Sequence, residues 1–123
     1  PHNVDKDNPW LDQFKNNPDV KIIDILDPTA ERFVDEVNEC EIILSSSLHG
    51  IVCGDSYCIP SYWIELSKKV IGGGFKFRDY FLSVGRPLQD PIIPKITDRI
   101  KDLKLYDYSI DIDLNKLIKS CPF

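Results

Sequence analysis

Three serines, a leucine, a histidine and a glycine stand side by side at Ser45–Gly50, between two apolar stretches. The run Glu41–Ser45 is nearly all apolar and predicts a central parallel strand, and Leu48–Tyr57 predicts a buried helix of small and apolar residues. The first N–H groups of a helix lack intrahelical partners and carry partial positive charge. We therefore expect an anion such as phosphate or carboxylate to bind at this turn.

The predicted binding residues of this turn are Ser46, Ser47, Leu48 and Gly50. Serine hydroxyls can cap the helix and donate to anion oxygens, and a glycine lets backbone or ligand come close. A more ordinary interpretation stays open, in which the serines only cap the helix.

His49 lies in the first turn of the predicted helix. The helix dipole disfavours the imidazolium there, whereas a bound phosphate would favour it, so the ring is a candidate general acid or base. The alternative is a hydrogen-bonded structural histidine.

A loop of three glycines, Gly72–Gly74, is flanked by the cations Lys68, Lys69, Lys76 and Arg78. These cations are candidates for mobile anion clamps, with the glycines as their hinge and with Lys68 and Lys76 as predicted substrate-binding residues. Ordinary surface cations around a solvated turn are the alternative.

Four further residues carry two interpretations each. Tyr62 and Trp63 could form a platform for a sugar or belong to the core of the third strand. Asp5 and Asp24 are either polar site residues or loop and strand-end residues.

Strands and helices alternate along the chain. We predict strands at 20–26, 41–45 and 61–65, and helices at 29–40, 48–57 and 75–83. Further helices are expected at 9–14, at 96–105 and after Asp113. This order favours an α/β fold with a Rossmann-like, doubly wound parallel sheet, in which ligands bind at the carboxyl ends of the strands.

Composition excludes several classes of protein. The 123 residues suit one domain, and 15 basic against 20 acidic residues give a net charge of −5, which carries no electrostatic footprint for nucleic acid. No apolar run approaches the roughly 18 residues of an integral membrane segment. The four cysteines lack C-x-x-C spacing, so we expect reduced structural thiols, no metal site and a cytoplasmic protein.

Taken in order, Ser45–Gly50, Ile59-Pro60 and Lys76–Phe81 resemble the C-terminal half of the polysaccharide pyruvyltransferases. The opening Pro1–Asp5 and the closing Cys121–Phe123 are similar to the corresponding parts of that family. The resemblance therefore covers nearly the whole chain, 1–123, as one C-terminal Rossmann-like domain.

The resemblance implies one half of a two-domain, GT-B-like enzyme that lacks its N-terminal domain here, which agrees with the absence of methionine from the chain. It implies transfer of pyruvate from phosphoenolpyruvate to a sugar or lipid-linked glycan of an exopolysaccharide precursor, at the inner face of the membrane, with no cofactor. It also implies that His49 is the acid/base residue and that Ser47, Leu48 and His49 hold the donor.

One position departs from the family pattern, because many members have an arginine where this chain has Ser47. Lys76 or Lys68 would then supply the missing cation. Two other functions stay open: a GT-B glycosyltransferase that uses a nucleotide sugar, and a non-catalytic module that binds anions or glycans.

Overall fold

The computed structural model describes residues 1–26 and 29–122. Its α-helices are α1 (Ala30–Asn38), α2 (Leu48–Ser56), α3 (Phe75–Ser83) and α4 (Leu114–Lys119). Its strands are β1 (Ile43–Ser45) and β2 (Ser61–Trp63), and 3-10 turns occupy Asn3–Asp5, Pro9–Phe14 and Ile100–Asp102.

The two strands form a parallel pair, in which Ile43, Leu44 and Ser45 lie opposite Ser61, Tyr62 and Trp63. Beyond β2, the backbone of Ile64 forms a single parallel bridge to Ile92. The structure thus confirms the α/β class and the parallel pairing of the second and third predicted strands.

The strand predicted at 20–26 is wrong for the part of it that the structure describes. Residues 20–24 have no regular structure, and residues 25 and 26 form a turn. Residues 27 and 28 lie outside the described part of the chain. The β-branched residues favour extended backbone, but a strand also needs a partner backbone. Here Val20 and Ile23 add their side chains to two different hydrophobic clusters and form no strand pair.

The helix predicted at 96–105 is also wrong, since only the 3-10 turn Ile100–Asp102 forms there. Asp98 accepts from the N–H of Lys95, and Asp102 accepts from the N–H of Arg99, so each bond closes a short local turn. The second bond caps the start of the short 3-10 helix, and the backbone is already extended at Leu103.

The other helices agree closely with the prediction. Thr29 caps α1 by accepting from the N–H of Arg32, and Asp113 caps α4 by accepting from the N–H of Lys116. The helix predicted at 75–83 is found as α3 with the same bounds, and the short helix predicted at 9–14 is found as a 3-10 helix with the same bounds.

Both faces of the small sheet are covered. On one face, Trp63 packs with Ile51 of α2 and with Phe77 and Phe81 of α3. On the other, Leu44 and Ile64 pack with the aromatic 3-10 turn Pro9–Phe14. The sheet therefore holds α2 and α3 on one side, with the first turn of α2 at the carboxyl end of β1.

None of the helices in the described residues has the length and apolarity that crossing a bilayer requires.

Candidate functional site

The serine turn after β1 is compact and buried. Ser45, Ser46 and Ser47 are all buried. The Ser45 hydroxyl donates to the carbonyl of Ser47 at 2.8 Å and accepts from the N–H of Ser47 at 3.1 Å. These two bonds fix the turn that leads the chain from β1 into α2.

Gly50 allows α2 to approach this turn. A Cβ added there would lie 2.9 Å from the Cβ of Ser45, closer than real Cβ atoms come. The glycine predicted to admit a close neighbour therefore admits the strand end, which brings the start of α2 against the serine turn.

The first turn of α2 has no side-chain cap. Ser47 is the N-cap residue, yet its hydroxyl accepts no hydrogen bond from the helix N–H groups, unlike Thr29 at α1 and Asp113 at α4. An uncapped helix start offers its N–H groups to an external acceptor.

His49 is the second residue of α2, so it lies in the first turn as predicted, and its side chain is exposed. Its Nδ1 lies 3.4 Å from the hydroxyl oxygen of Ser47, and no other described residue bonds to the ring. The imidazole is thus oriented on one side by a serine and accessible on the other, an arrangement that suits proton transfer to a ligand.

A cavity of about 610 Å³ lies beside the turn and shares Ser46 with it. Its wall contains the backbone after β2, the triple-glycine loop and the start of α3. Its polar and charged lining side chains are Ser46, Glu65, Lys68, Lys69, Arg78 and Asp90. Of the predicted binding residues, the cavity brings together Ser46 and Lys68.

Lys76 lies elsewhere. It is not among the residues that line the cavity, and its Nζ lies 5.5 Å from the ring centre of Phe77. Lys68 and Lys76, which were predicted together as binding residues, therefore occupy different places.

The cations of the cavity are partly engaged. Lys68 forms an exposed ion pair with Glu65, and Arg78 bonds to Asp90 and to the carbonyl of Gly73, both at 3.1 Å. Lys69 has no ion pair among the described residues. Three cations against two carboxylates leave the lining with one excess positive charge.

The triple-glycine loop is tied to Trp63. Gly74 has a φ of 81°, and a Cβ there would lie 2.9 Å from Cζ2 of Trp63. Gly72 and Gly73 also have positive φ values but face open space. The loop therefore needs glycine at Gly74 for packing as well as for backbone conformation.

Tyr62 and Trp63 are core residues rather than an exposed sugar platform. Trp63 is 5% exposed and stacks on Phe77 with 4.4 Å between ring centres. Tyr62 is buried and contacts Tyr106 and Tyr108 edge to face.

The two predicted aspartates differ in environment. Asp24 is exposed and accepts from the N–H of Leu26. Asp5 is 1% exposed and accepts from the hydroxyl of Ser67, next to the cavity residue Lys68.

A buried polar cluster at the opposite end of the sheet was missed by the sequence interpretation. Arg86 forms an ion pair with Asp55 and donates to the carbonyl of Ser61, while Tyr108 donates to Asp55 at 2.7 Å. The available signal was Asp55, an acid within an otherwise small and apolar helix.

The cysteines divide into two pairs. Burial raises the pKa of the Cys40 and Cys53 thiols, which suits structural residues. The expectation of structural thiols is wrong for Cys58, which follows α2 with a φ of 58°, and for Cys121, because both are exposed. Within the described residues, no three His, Cys, Asp or Glu side chains are grouped so that they could hold a metal ion.

The described fold is an α/β arrangement in which an uncapped helix start follows a parallel strand. A family model described as polysaccharide pyruvyl transferase matches residues 1–68, which contain β1, the serine turn, α2 and β2. The chain belongs to the polysaccharide pyruvyl transferase family. Searches of curated proteins and of solved structures found no match.

Proposed function

We propose that the chain is the C-terminal Rossmann-like domain of a two-domain, GT-B-like enzyme that transfers pyruvate from phosphoenolpyruvate to a sugar. Family membership supports the pyruvyl transfer and favours it over the glycosyltransferase and the non-catalytic module. The second domain would cover the serine turn, so that the active site would lie between the two domains.

The observation that carries the proposal is the position of His49. It stands at an uncapped helix start, after a parallel strand, with Nδ1 next to the Ser47 hydroxyl. An anion held by the N–H groups of Leu48 and His49 would lie within reach of a residue that can carry a proton.

The proposal places the phosphorylated donor between the first turn of α2 and the neighbouring cavity. Ser46 belongs to the serine turn before α2 and to the cavity lining, and Lys68 lines the cavity with it. We assign donor binding to Ser46, Ser47, Leu48, Gly50 and Lys68. Lys68 would supply the cation that Ser47 lacks, and Lys76, outside the cavity lining, is left out of this set.

His49 would begin the reaction by giving its proton to the methylene carbon of phosphoenolpyruvate. The neighbouring carbon then becomes oxocarbenium-like, and a sugar hydroxyl attacks it while losing its proton to His49. The C–O bond to phosphate breaks, phosphate leaves, and a second hydroxyl closes the ketal as its proton passes to phosphate. Positive charge at the helix start would stabilise the departing anion.

The partners in this proposal are phosphoenolpyruvate, a sugar or lipid-linked glycan acceptor of an exopolysaccharide precursor, and the second domain. The reaction needs no cofactor beyond the donor. We place it in the cytoplasm at the inner face of the membrane, where donor and glycan precursor would meet.

The test compares His49→Gln with the wild type in the natural full-length protein, by measuring phosphate release from phosphoenolpyruvate and ketal formation. Glutamine keeps size and a hydrogen bond but cannot shuttle a proton, so turnover should fall about 100- to 10,000-fold. Donor affinity and melting temperature should change little. Full activity in the variant would remove His49 from the mechanism.

The same assay separates the domain from the enzyme. The 123-residue chain alone should release no phosphate, because the acceptor must be held against the donor by both domains. Sugar-dependent release by this chain alone would contradict the two-domain proposal. A glycosidic bond and a free nucleotide would instead indicate a glycosyltransferase.

A further inference from the structure

Asp5 is a buried carboxylate next to the cavity that has no role in the chemistry proposed above. It is 1% exposed, and its Oδ1 accepts from the hydroxyl of Ser67. Its Oδ2 is buried as well and has no hydrogen-bond partner among the described residues. Among the described residues, Asp5 is therefore held by one side-chain hydroxyl and forms no ion pair with a cationic side chain.

A carboxylate in this environment lowers the stability of the folded protein. Burying a charged group costs free energy, and an oxygen without a partner recovers none of that cost. A buried polar group that is left partly unsatisfied calls for an explanation other than folding.

Ser67 links Asp5 to the cavity wall. Its hydroxyl donates to Asp5, which leaves its oxygen to accept from the N–H of Lys69 at 3.2 Å. Asp5 thus fixes the rotation of the Ser67 hydroxyl, and Ser67 fixes the backbone at Lys69. Both Lys68 and Lys69 line the cavity.

The same short turn also contacts Ser46, another residue of the cavity lining. The N–H of His2 donates to the hydroxyl oxygen of Ser46 at 2.9 Å, and the N–H of Asp5 donates to the carbonyl of His2 at 2.8 Å. Residues 2–5 therefore join Ser46, in the cavity lining, to Ser67, which directly precedes the lining residues Lys68 and Lys69.

We infer that Asp5 is a positioning residue, which sets through Ser67 where Lys68 and Lys69 stand relative to Ser46. Through these lysines it controls the affinity of the cavity for a phosphorylated, anionic donor. The inference rests on the proposed function, since it assumes that the donor binds in this cavity.

The test is Asp5→Asn in the full-length protein, titrated with phosphoenolpyruvate in a calorimeter. We expect affinity to weaken about 5- to 10-fold, within the range of coupling between residues of one network. The melting temperature should stay the same or rise, because a buried charge has been removed.

Ser67→Ala should reproduce the loss of affinity, and the double variant should be no weaker than either single variant. Ser67→Thr keeps the hydroxyl and should retain affinity. The matched control is Ser83→Ala, a serine whose hydroxyl bonds only to the carbonyl of Tyr80; it should bind like the wild type.

A lower melting temperature with unchanged affinity in Asp5→Asn would show a merely structural residue and overturn the inference. Additive losses in the double variant would overturn the relay through Ser67. Hydrogen exchange of the Lys69 N–H needs no donor and should be faster in both single variants. Unchanged exchange would overturn the positioning role, whereas a wild type that binds no donor would overturn the proposed function.

Discussion

Nη1 of Arg86 lies 2.7 Å from Oδ2 of Asp55, and both side chains are inaccessible, at 0% and 1% exposure. Asp55 is in the last turn of α2, and Arg86 follows α3. The pair holds the end of α2 that lies away from the serine turn. The direction in which α2 presents its first turn therefore depends on an ion pair at the other end of the helix.

Arg86→Ala should lower the free energy of unfolding by about 3–5 kcal/mol, because it leaves a buried carboxylate without its cation. Urea unfolding followed by circular dichroism measures this loss. The matched control is Arg78→Ala, which breaks the exposed pair with Asp90 and should cost less than about 1 kcal/mol. Equal losses in the two variants would contradict the role of the buried pair.

Tyr80 also donates to Asp55, at 3.1 Å, and this tyrosine and Tyr108 make stability depend on alkaline pH. Burial, then the charge of Asp55, raise the pKa of Tyr80 above its ordinary value of 10.0. Burial is also the main cause that raises the pKa of Tyr108. The folded protein therefore keeps these protons at a pH where the unfolded chain releases them.

The stabilisation from this difference is fully present below pH 10 and is lost as the pH rises through the higher folded-state pKa values. Urea unfolding between pH 9 and 12, about the ordinary range of tyrosine ionisation, should show a falling free energy of unfolding. Tyr80→Phe should flatten that fall. Tyr57→Phe, at an exposed tyrosine, should not; a parallel change in both variants would contradict the assignment.

Much of the site was predictable because its signals are local. The apolar run before Ser45, the small residues after Leu48 and the glycine at Gly50 define a strand, a turn and a helix within a dozen residues. Helix caps such as Thr29 and Asp113 were predictable for the same reason, since capping depends on nearest neighbours in sequence.

What the sequence missed depends on distant partners. The segment 20–26 has strand composition but no partner backbone, and Lys68 and Lys76 differ only in which surface each side chain meets. Arg86 meets Asp55, 31 residues away. Such pairing is set by tertiary packing, which composition and periodicity do not encode.

Gly50→Ala should destabilise the protein by about 1–3 kcal/mol, because the added methyl group would overlap Ser45. It should also weaken phosphate binding by moving α2 away from the turn. Ser56→Ala, at an exposed position in the last turn of α2, is the control and should stay within about 0.5 kcal/mol. Thermal unfolding measures the stability of both variants. A fully stable Gly50→Ala protein would contradict the close approach of α2 to β1.

Thiol labelling should separate the four cysteines into two classes. Cys58 and Cys121 are exposed and should react first with a disulfide reagent. Cys40 and Cys53 are partly covered, and burial raises the pKa of both thiols, so less of the reactive thiolate is present. Peptide mapping after timed labelling gives the order. Faster reaction at Cys40 than at Cys58 would contradict the packing of α1 and α2.

The last prediction distinguishes the two lysines near the triple-glycine loop. Lys68 lines the cavity with Ser46, whereas the ammonium of Lys76 lies over the ring of Phe77 and outside the cavity lining. Lys68→Gln should therefore weaken phosphate binding about three- to fivefold, a modest loss because the side chain is exposed. Lys76→Gln changes the net charge equally and should alter affinity by less than about twofold, since its ammonium lies over Phe77 outside the cavity lining and salt screens a charge that does not contact the anion. Nuclear magnetic resonance titration with phosphate measures both affinities, and the N–H signals of Leu48 and His49 should shift in the wild type. Equal weakening in the two variants would show that phosphate binding depends only on the overall charge. Chemical-shift changes confined to the Asp55 end of α2 would place the anion at the opposite end of the sheet and contradict the proposal.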